Sequence, residues 1–259
     1  MKFSAVLVTY NSEKIIIDCL ESLRGVADEI VVVDSESTDQ TRKIARYFTD
    51  KVIRHHSTDY VELKNLGHQL ATNEWVLSVE PDERLSAGLR LELLEWKKNP
   101  EEADGFTIPR KSFYLERWIR HSGWYPNRRV RFYRKSRACW KREAGRVLVE
   151  VEGEIKKFKS DLEHIAFSSI SEHLHYIDRM SENRARKLYA GKKKARFYHL
   201  CWSPFWAFLK SYFFKLGCLD GFPGLVISVM SGYSVFLKYA KLKEIWKKGE
   251  KIEPVPCGQ

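Results

Sequence analysis

The sequence predicts an α/β fold with a mostly parallel sheet, followed by a basic, helical C-terminal extension that associates with a membrane. Three observations lead to this prediction. Apolar runs alternate with stretches of helical periodicity over the first hundred residues, the charge changes sign along the chain, and large aromatic residues are frequent in the last third. With 259 residues, 44% of them hydrophobic, the chain is long enough for one α/β core and a second portion.

The first hundred residues contain four runs typical of buried strands and four stretches typical of amphipathic helices. The strand candidates are Phe3 to Thr9, Ile30 to Val33, Val52 to Ile53 and Trp75 to Val79. The helix candidates run from near Ser12 to Gly25, from Thr38 or Asp39 to about Phe48, around Leu63 to Ala71, and from Leu89 to Asn99. Their alternation predicts βαβ units, in which ligands bind at the carboxyl ends of the strands.

The distribution of charge divides the chain. Residues 1–105 hold 13 Lys and Arg and 20 Asp and Glu, a net charge of −7, so the other 32 basic and 14 acidic residues give +18. Between Arg110 and Arg142, twelve basic residues accompany a single acid, Glu116. The run Arg146 to Glu154 then alternates as a strand does. A basic second half predicts contact with a polyanion, either nucleic acid or an anionic lipid surface.

The C-terminal region combines basic and aromatic residues with an uncharged segment. Gly221 to Leu237 is uncharged over 17 residues, which is short for a membrane span, and Pro223 interrupts it. We therefore predict helices that lie in the lipid interface of an anionic membrane, with Lys192, Lys193, Lys194, Lys210 and Lys215 near the headgroups. An oligomer interface or a groove beneath a lid is the alternative.

The cysteines and the N-terminus favour a cytoplasmic location. Five cysteines, Cys19, Cys139, Cys201, Cys218 and Cys257, are scattered without a CxxC pair, which favours reduced thiols over disulfides or a zinc site. The N-terminal apolar run is too short for a signal peptide. We expect a peripheral protein on the inner face of the cytoplasmic membrane.

Carboxylates follow the second predicted strand. Asp34 ends the strand and Asp39 opens the next helix. A carboxylate at this edge can accept hydrogen bonds from a base or a ribose. Equally, Asp34 can be an ordinary loop acid, and Asp39 an acid favoured by the dipole of a helix N-terminus.

Three carboxylates occur within four residues after the fourth predicted strand, in Glu80-Pro81-Asp82-Glu83. Mg²⁺ or Mn²⁺ prefers such hard oxygen ligands and often bridges one or two carboxylates to substrate phosphates. Clustered like charges are costly without a cation. The alternative is a solvated acidic turn before the next helix.

These segments resemble the inverting family 2 glycosyltransferases of GT-A fold. The resemblance rests on AVLVTYN (5–11), VVVDSESTD (31–39), KNLGHQLA (64–71) and WVLSVEPDE (75–83), in the order of that family. It implies a Rossmann-like donor-binding half over 1–105, an acceptor-binding half over 106–170 and the basic-aromatic helical region over 171–259.

The resemblance also implies site residues. The nucleotide-sugar donor, expected to be a UDP-sugar, would contact Thr9, Tyr10, Asn11, Asp34, Ser35, Lys64, Asn65 and Glu80. The divalent metal would be bound by Asp82, with Glu80 acting through water and His164 as a further ligand. Glu80 replaces the first Asp of the family's Asp-x-Asp motif, and His164 is equally compatible with a structural role.

The second half resembles the lipopolysaccharide core glycosyltransferases within this family. The segments that carry this resemblance are 108–135 and FKLGCLDGFPG (214–224). It implies transfer of a hexose, usually glucose, to an inner-core glycolipid. The candidates for binding this acceptor are Arg117, Arg120, Trp124 and Arg128, because guanidinium groups clamp phosphates and acidic sugars and aromatic rings stack on sugar faces. Trp124 is equally compatible with core packing.

The catalytic base is not marked by a motif. Inversion requires a group that removes the acceptor proton, but the His-Glu pair that is frequent in the family is absent. Glu143 and Glu150 are the candidates, and either can be a surface acid. The alternatives to the glycolipid enzyme are a polyprenyl-phosphate sugar transferase and a non-catalytic lipid- or polyanion-binding protein. No nucleic-acid-binding module is recognisable.

Overall fold

The computed structural model describes residues 1–143 and 146–248. The strands are β1 (Phe3–Thr9), β2 (Glu29–Asp34), β3 (Val52–Arg54), β4 (Trp75–Val79), β5 (Glu83–Leu85), β6 (Gly105–Tyr114), β7 (Arg117–Ile119), β8 (Asn127–Arg134), β9 (Ala138–Glu143), β10 (Arg146–Val151), β11 (Ile155–Lys157) and β12 (Leu162–Phe167). The helices are α1 (Ile16–Leu23), α2 (Thr41–Ala45), α3 (Tyr60–Leu70), α4 (Ala87–Lys98), α5 (Ile170–Ala190), α6 (Phe197–Leu209) and α7 (Gly221–Lys248).

The main sheet has the order β3-β2-β1-β4-β8-β6-β12-β5. Strands β3, β2, β1 and β4 are parallel neighbours, whereas β8 runs antiparallel to both β4 and β6. Strands β9 and β10 form a separate antiparallel hairpin. The α/β class and the parallel sheet of the first hundred residues are confirmed.

The strongest sequence patterns form the core. All seven residues of β1 are buried, as expected for a strand covered on both faces. The periodicity predicts an inward face of Ile15, Ile16, Cys19, Leu20 and Leu23 for the first helix. Helix α1 buries the last four of these, whereas Ile15, which precedes the helix, is exposed. Helix α3 lies very close to β1, because a Cβ on Gly67 would come within 2.5 Å of Val6 Cγ1. Glycine at this position therefore sets the distance between helix and sheet.

The second helix is shorter than predicted. Asp39 lies outside α2 and caps its first turn: Oδ1 accepts the Thr41 backbone N–H at 3.0 Å, and Oδ2 accepts that of Glu13 at 3.1 Å. At the other end, the backbone N–H groups of Tyr47 and Phe48 bond to carbonyls three residues back, so the last turn is tighter than an α-helix. The loop after β2 is thus longer than the sequence predicted.

The chain forms two compact units. Unit 1 comprises Met1–Arg110 and Asn127–His164, and unit 2 comprises Lys111–Pro126 and the described chain from Ile165 onward. The predicted 106–170 range therefore contains residues of both units, because its boundaries were drawn from charge and motif rather than from compactness. Residues 249–259 of the predicted C-terminal region, with Cys257, lie outside the described residues. The cysteines that are described are all free thiols.

Unit 2 is built on long helices. Tyr114, Ile119 and Ile227 form one buried cluster, and Ala185, Leu242 and Ile245 form another. Gly217–Lys248, which includes α7, is long and apolar enough by length and composition to cross a membrane. Large apolar side chains of α6, α7 and the segment between them are exposed, including Phe197, Trp202, Phe205, Trp206, Phe213, Phe214, Leu219 and Phe222. We call this set the exposed aromatic surface.

Candidate active site

The loops at the carboxyl ends of β1 and β2 are tied together by side chains. Asp34 is fully buried. Its Oδ2 accepts a hydrogen bond from Thr9 Oγ1 at 3.0 Å, and its Oδ1 accepts the Ser37 N–H at 2.9 Å. Arg42 Nε lies 3.4 Å from Oδ1. The predicted donor residues Asp34 and Thr9 therefore organise the loop through protein contacts.

The neighbouring donor residues differ in accessibility. Asn11, at a positive φ of 45°, accepts the Thr38 N–H on its Oδ1 at 2.8 Å, and Ser35 Oγ donates to the Ser57 carbonyl at 3.0 Å. Both side chains thus connect loops. Tyr10 is 48% exposed at the end of β1. Tyr10 is the aromatic residue of this group, and its exposed ring is available to stack on a nucleotide base.

Lys64 and Glu80 lie in a buried ionic network beside the carboxyl end of β4. Lys64 Nζ lies 3.2 Å from Glu80 Oε1 and donates to Ser78 Oγ at 3.2 Å. Arg131 of β8 donates to Glu80 at 3.0 Å and to Glu83 at 2.8 Å. Lys64, Glu83 and Arg131 are buried and Glu80 is partly buried. Since buried charges are stable only when they are paired, each of these groups depends on its neighbours.

The pKa values in this network follow from burial and charge. Burial alone would raise the pKa of Glu80, but Lys64 and Arg131 outweigh it and hold the pKa well below its ordinary value. Burial, and then the charge of Arg131, lower the pKa of Lys64, against the opposing effect of Glu80. Glu80 therefore stays ionised, with its carboxylate already contacted by two cations.

Asp82 and His164 lie together beyond β4. Strand β12 pairs with β5 so that His164 is opposite Glu83, and His164 Nε2 lies 3.3 Å from Asp82 Oδ2. Asp82 Oδ1 is buried, and no described residue donates a hydrogen bond to it. A buried acceptor without a donor is costly. A cation at this oxygen would remove that cost.

The described residues do not by themselves form a complete metal site. Within residues 1–143 and 146–248, no group of three or more His, Cys, Asp or Glu side chains is arranged to hold a metal ion. Asp82 and His164 fit a cation that takes its remaining ligands from substrate phosphates and water, which is how Mg²⁺ is commonly held. Glu80, by contrast, is engaged by Lys64 and Arg131.

Asn65 holds the β9–β10 hairpin rather than an open site. Its Nδ2 donates to the Trp140 carbonyl at 3.0 Å, and its Oδ1 accepts the Trp140 N–H at 3.1 Å. Trp140 Nε1 donates to Tyr133 Oη at 2.9 Å. These contacts fix the hairpin to α3 and β8.

A cavity of about 280 Å³ lies next to the buried network. Its lining residues are Tyr60, Glu80, Arg129, Val130, Arg131, Trp140, Val147, Leu148 and Val149. We call it the arginine cavity. Two aromatic rings, an apolar strand face and two guanidinium groups suit a small polar ligand with an apolar face.

The candidate catalytic bases do not line this cavity. Glu150 is exposed and paired with Lys141 at 2.6 Å. Glu143 is exposed at the end of β9. The assignment of the base to either residue stays a prediction.

The predicted acceptor residues are distributed over both units. Within unit 2, Arg117 and Arg120 are exposed, and the backbone N–H of Arg120 donates to the buried carboxylate of Asp220 at 3.1 Å. Trp124 is partly buried against Tyr114 of the same unit, as its packing alternative anticipated. In unit 1, exposed Arg128 donates to the Phe158 carbonyl at 2.8 Å.

Sequence reasoning missed Arg131, Tyr60 and the pairing role of Glu83. Arg131 was one of twelve basic residues in its segment, and its charge alone did not distinguish it. The available signal was its position between Val130 and Phe132 in a strand, where a buried arginine requires carboxylate partners. Its partners are 51 and 48 residues away in the sequence.

Comparisons with known proteins agree with this architecture. Residues 4–149, more than half of the chain, match the family described as glycosyl transferase family 2. An uncharacterized glycosyltransferase of Rickettsia typhi is 28% identical over 97% of this chain and 90% of its own length. The lipopolysaccharide core biosynthesis glycosyltransferase LpsC of Rhizobium meliloti is 25% identical over 93% of this chain and 92% of its own length.

A solved structure supports the fold independently. The crystal structure of S. aureus TarS 1–349 superposes with a TM-score of 0.50 at 17% identity, covering 98% of this chain and 93% of that one. At this identity the likeness concerns the fold alone, and it confirms the GT-A-type prediction. From the family match over residues 4–149, the chain belongs to glycosyl transferase family 2 and is a glycosyltransferase.

Proposed function

We propose that the protein transfers a hexose from a UDP-sugar to a membrane glycolipid of the lipopolysaccharide inner core, with inversion and with the help of Mg²⁺ or Mn²⁺. The observation that carries this proposal is the Asp82–His164 pair at the carboxyl edge of the sheet, with the buried Asp82 Oδ1 lacking a donor among the described residues. The similarity to LpsC over nearly the whole chain supports the acceptor class.

Asp82 and His164 would hold the cation together with the donor diphosphate. When bound there, such a cation would supply positive charge that stabilises the leaving diphosphate. Tyr10 offers an exposed ring to the base, whereas Asp34 and Thr9 keep the adjoining loop in place. The buried Lys64–Glu80–Arg131 network fixes the turn that presents Asp82. The protein thus pre-organises the donor site from side chains that are already paired.

The exposed aromatic surface supports a location at a lipid interface. Trp202 and Trp206 are 67% and 55% exposed, and Lys210 and Lys215 follow them in sequence. Aromatic rings favour the headgroup region, and each lysine near an anionic surface contributes about 1 kcal/mol. An enzyme held at the membrane in this way meets a lipid-linked acceptor. We place it on the cytoplasmic face, where the free thiols favour a reducing compartment.

The test is transfer from radiolabelled UDP-glucose to deacylated and intact core glycolipids, with Mn²⁺ present or chelated. We expect Asp82→Ala to lower transfer by about 100-fold or more, because one electrostatic group of the transition state contributes on that scale. Calorimetry should show weaker binding of UDP with Mn²⁺ to the same variant.

Asp50→Ala is the matched control, because Asp50 is an exposed acid in the loop before β3. It should leave both transfer and binding unchanged. Wild-type rates in Asp82→Ala, or in the presence of a chelator, would contradict the metal assignment. Transfer to a polyprenyl phosphate but to no core glycolipid would show that the acceptor is a polyprenyl phosphate and that the proposed acceptor class is wrong.

A further inference from the structure

The arginine cavity contains more positive charge than its carboxylates balance. Glu80 Oε1 lies 3.0 Å from Arg131 Nη1 and 3.2 Å from Lys64 Nζ. Glu83 Oε1 lies 2.8 Å from Arg131 Nη2 and 3.6 Å from Arg110 Nη1. Three cations therefore already share these two carboxylates.

Two further arginines add to this excess. Arg129 lines the cavity, and Arg146 of β10, which is paired in register with Glu143 of β9, lies near enough to Arg129 for the two charges to interact. Neither guanidinium has an ion pair or hydrogen bond with another residue in the part of the chain that the structure describes. Burial, followed by the charges of Arg131, Arg110 and Arg146, lowers the pKa of Arg129. The arginines thus repel one another, and an anion would relieve this repulsion.

The other walls suit a sugar ring. Trp140 is 7% exposed, and Tyr60 lies on the same cavity, so that two aromatic rings face a space of about 280 Å³. Pockets for drug-sized ligands begin near 300 Å³. The cavity therefore has room for one substituted ring, but not for an oligosaccharide.

We infer that the arginine cavity binds a phosphate group carried on a sugar ring of the acceptor. A guanidinium offers forked N–H donors that match phosphate oxygens. The arginines come from β6, β8 and β10, which follow the parallel strands β1 to β4 where the donor is expected. The assignment to the acceptor rests on the proposed function, whereas the binding of a sugar phosphate does not.

The experiment compares glucose 6-phosphate with glucose as probes, by calorimetry and thermal shift, at low salt and in the presence of a chelator. We expect the sugar phosphate to bind at least tenfold more tightly than glucose, and its affinity to fall with added salt. The double variant Arg129→Gln/Arg146→Gln should lose at least tenfold in affinity for glucose 6-phosphate. Both side chains are exposed enough for the fold to tolerate the change.

Arg137→Gln is the control, since it removes the same charge from an exposed site in unit 1 that does not line the cavity. Equal affinity of the double variant and the wild type for glucose 6-phosphate would overturn the inference, as would equal affinity of the wild type for the two probes. Binding of UDP with Mn²⁺ is measured on the same variants. If UDP affinity falls as much as sugar-phosphate affinity, the arginines serve the donor and the inference is wrong.

The proposed function fails in a different way. Intact sugar-phosphate binding together with no transfer from any UDP-sugar would contradict the proposed reaction but support the anion subsite. Intact transfer to a dephosphorylated acceptor at the wild-type rate would overturn the acceptor assignment and leave the reaction standing.

Discussion

Asp34 shows that a carboxylate at the end of a strand can serve either to contact a ligand or to hold the protein's own loop. The sequence suggested a contact with the nucleotide base, yet both of its oxygens accept hydrogen bonds from the protein in a fully buried setting. Removing one partner from a buried hydrogen bond leaves the other unsatisfied, at a cost of about 1 to 3 kcal/mol. Asp34 therefore holds the loop in place, and we propose that it supports nucleotide binding through this loop.

We predict that Asp34→Asn lowers the free energy of unfolding by about 2 kcal/mol, because the new amide NH₂ faces the donors Thr9 and Ser37. Thr9→Val, which removes one donor only, should cost about 1 kcal/mol. Urea unfolding followed by circular dichroism measures both. Unchanged stability of Asp34→Asn together with weaker UDP binding would instead indicate a direct contact with the base.

At the scale of elements, Glu29 joins the beginnings of neighbouring strands. It sits at the start of β2, accepts hydrogen bonds from Ser4 of β1 and Lys51 before β3, and accepts the Thr72 N–H at 2.8 Å. Burial alone would raise the pKa of Glu29, but these hydrogen bonds outweigh it and lower the pKa from 4.5 to about 2. In the folded protein, these hydrogen bonds thus stabilise the ionised form of Glu29 more than its protonated form.

A pH dependence follows from this shift. Because the folded pKa lies below the unfolded value, the stabilisation is complete above about pH 4.5 and is lost as the pH falls toward 2. We predict that Glu29→Gln lowers the unfolding free energy at pH 7 by about 2 to 3 kcal/mol, and that the difference from wild type disappears near pH 2. Urea titrations at several pH values measure it.

Glu21→Gln is the comparison, because Glu21 is exposed and its ion pair with Arg24, the residue after α1, is long at 3.8 Å and solvated. Such exposed pairs contribute little. If the free energy of unfolding lost in Glu29→Gln is the same at pH 2 as at pH 7, the loss comes from packing rather than from ionisation of Glu29.

At the scale of the whole molecule, the charge changes sign along the chain. The acidic first 105 residues carry −7 and the remainder +18. The basic portion supplies the arginines that line the arginine cavity, together with the exposed aromatic surface. We therefore expect membrane binding to depend on charge and on aromatic burial together.

We predict that the full chain co-sediments with phosphatidylglycerol-containing vesicles, and that added salt weakens this binding. The variant Trp202→Ser/Trp206→Ser/Phe214→Ser should lose most of it, since these rings are 67%, 55% and 70% exposed. Tyr47→Ser, at a 77% exposed ring of unit 1, should behave as wild type. Binding that resists salt and yields only to detergent would indicate a membrane span instead.

The sequence by itself determined the family, the parallel sheet and the turn that carries Asp82. These features depend on local periodicity and on motifs of a few residues, which the order of β1 to β4 preserves. It also marked the C-terminal run of aromatic rings and lysines, for which it predicted a lipid interface and left an oligomer interface or a groove beneath a lid as the alternative. Its prediction of membrane contact awaits measurement.

Only the tertiary structure decided which polar residues are partners. Asp34 became a loop anchor, Asn65 a support of the hairpin, and Arg131 the partner of Glu80 and Glu83. These pairings join residues that are up to 75 positions apart, so no local pattern specifies them. The physical reason is that a polar side chain acquires its role from the charges and donors around it, and those neighbours are set by strand order and register.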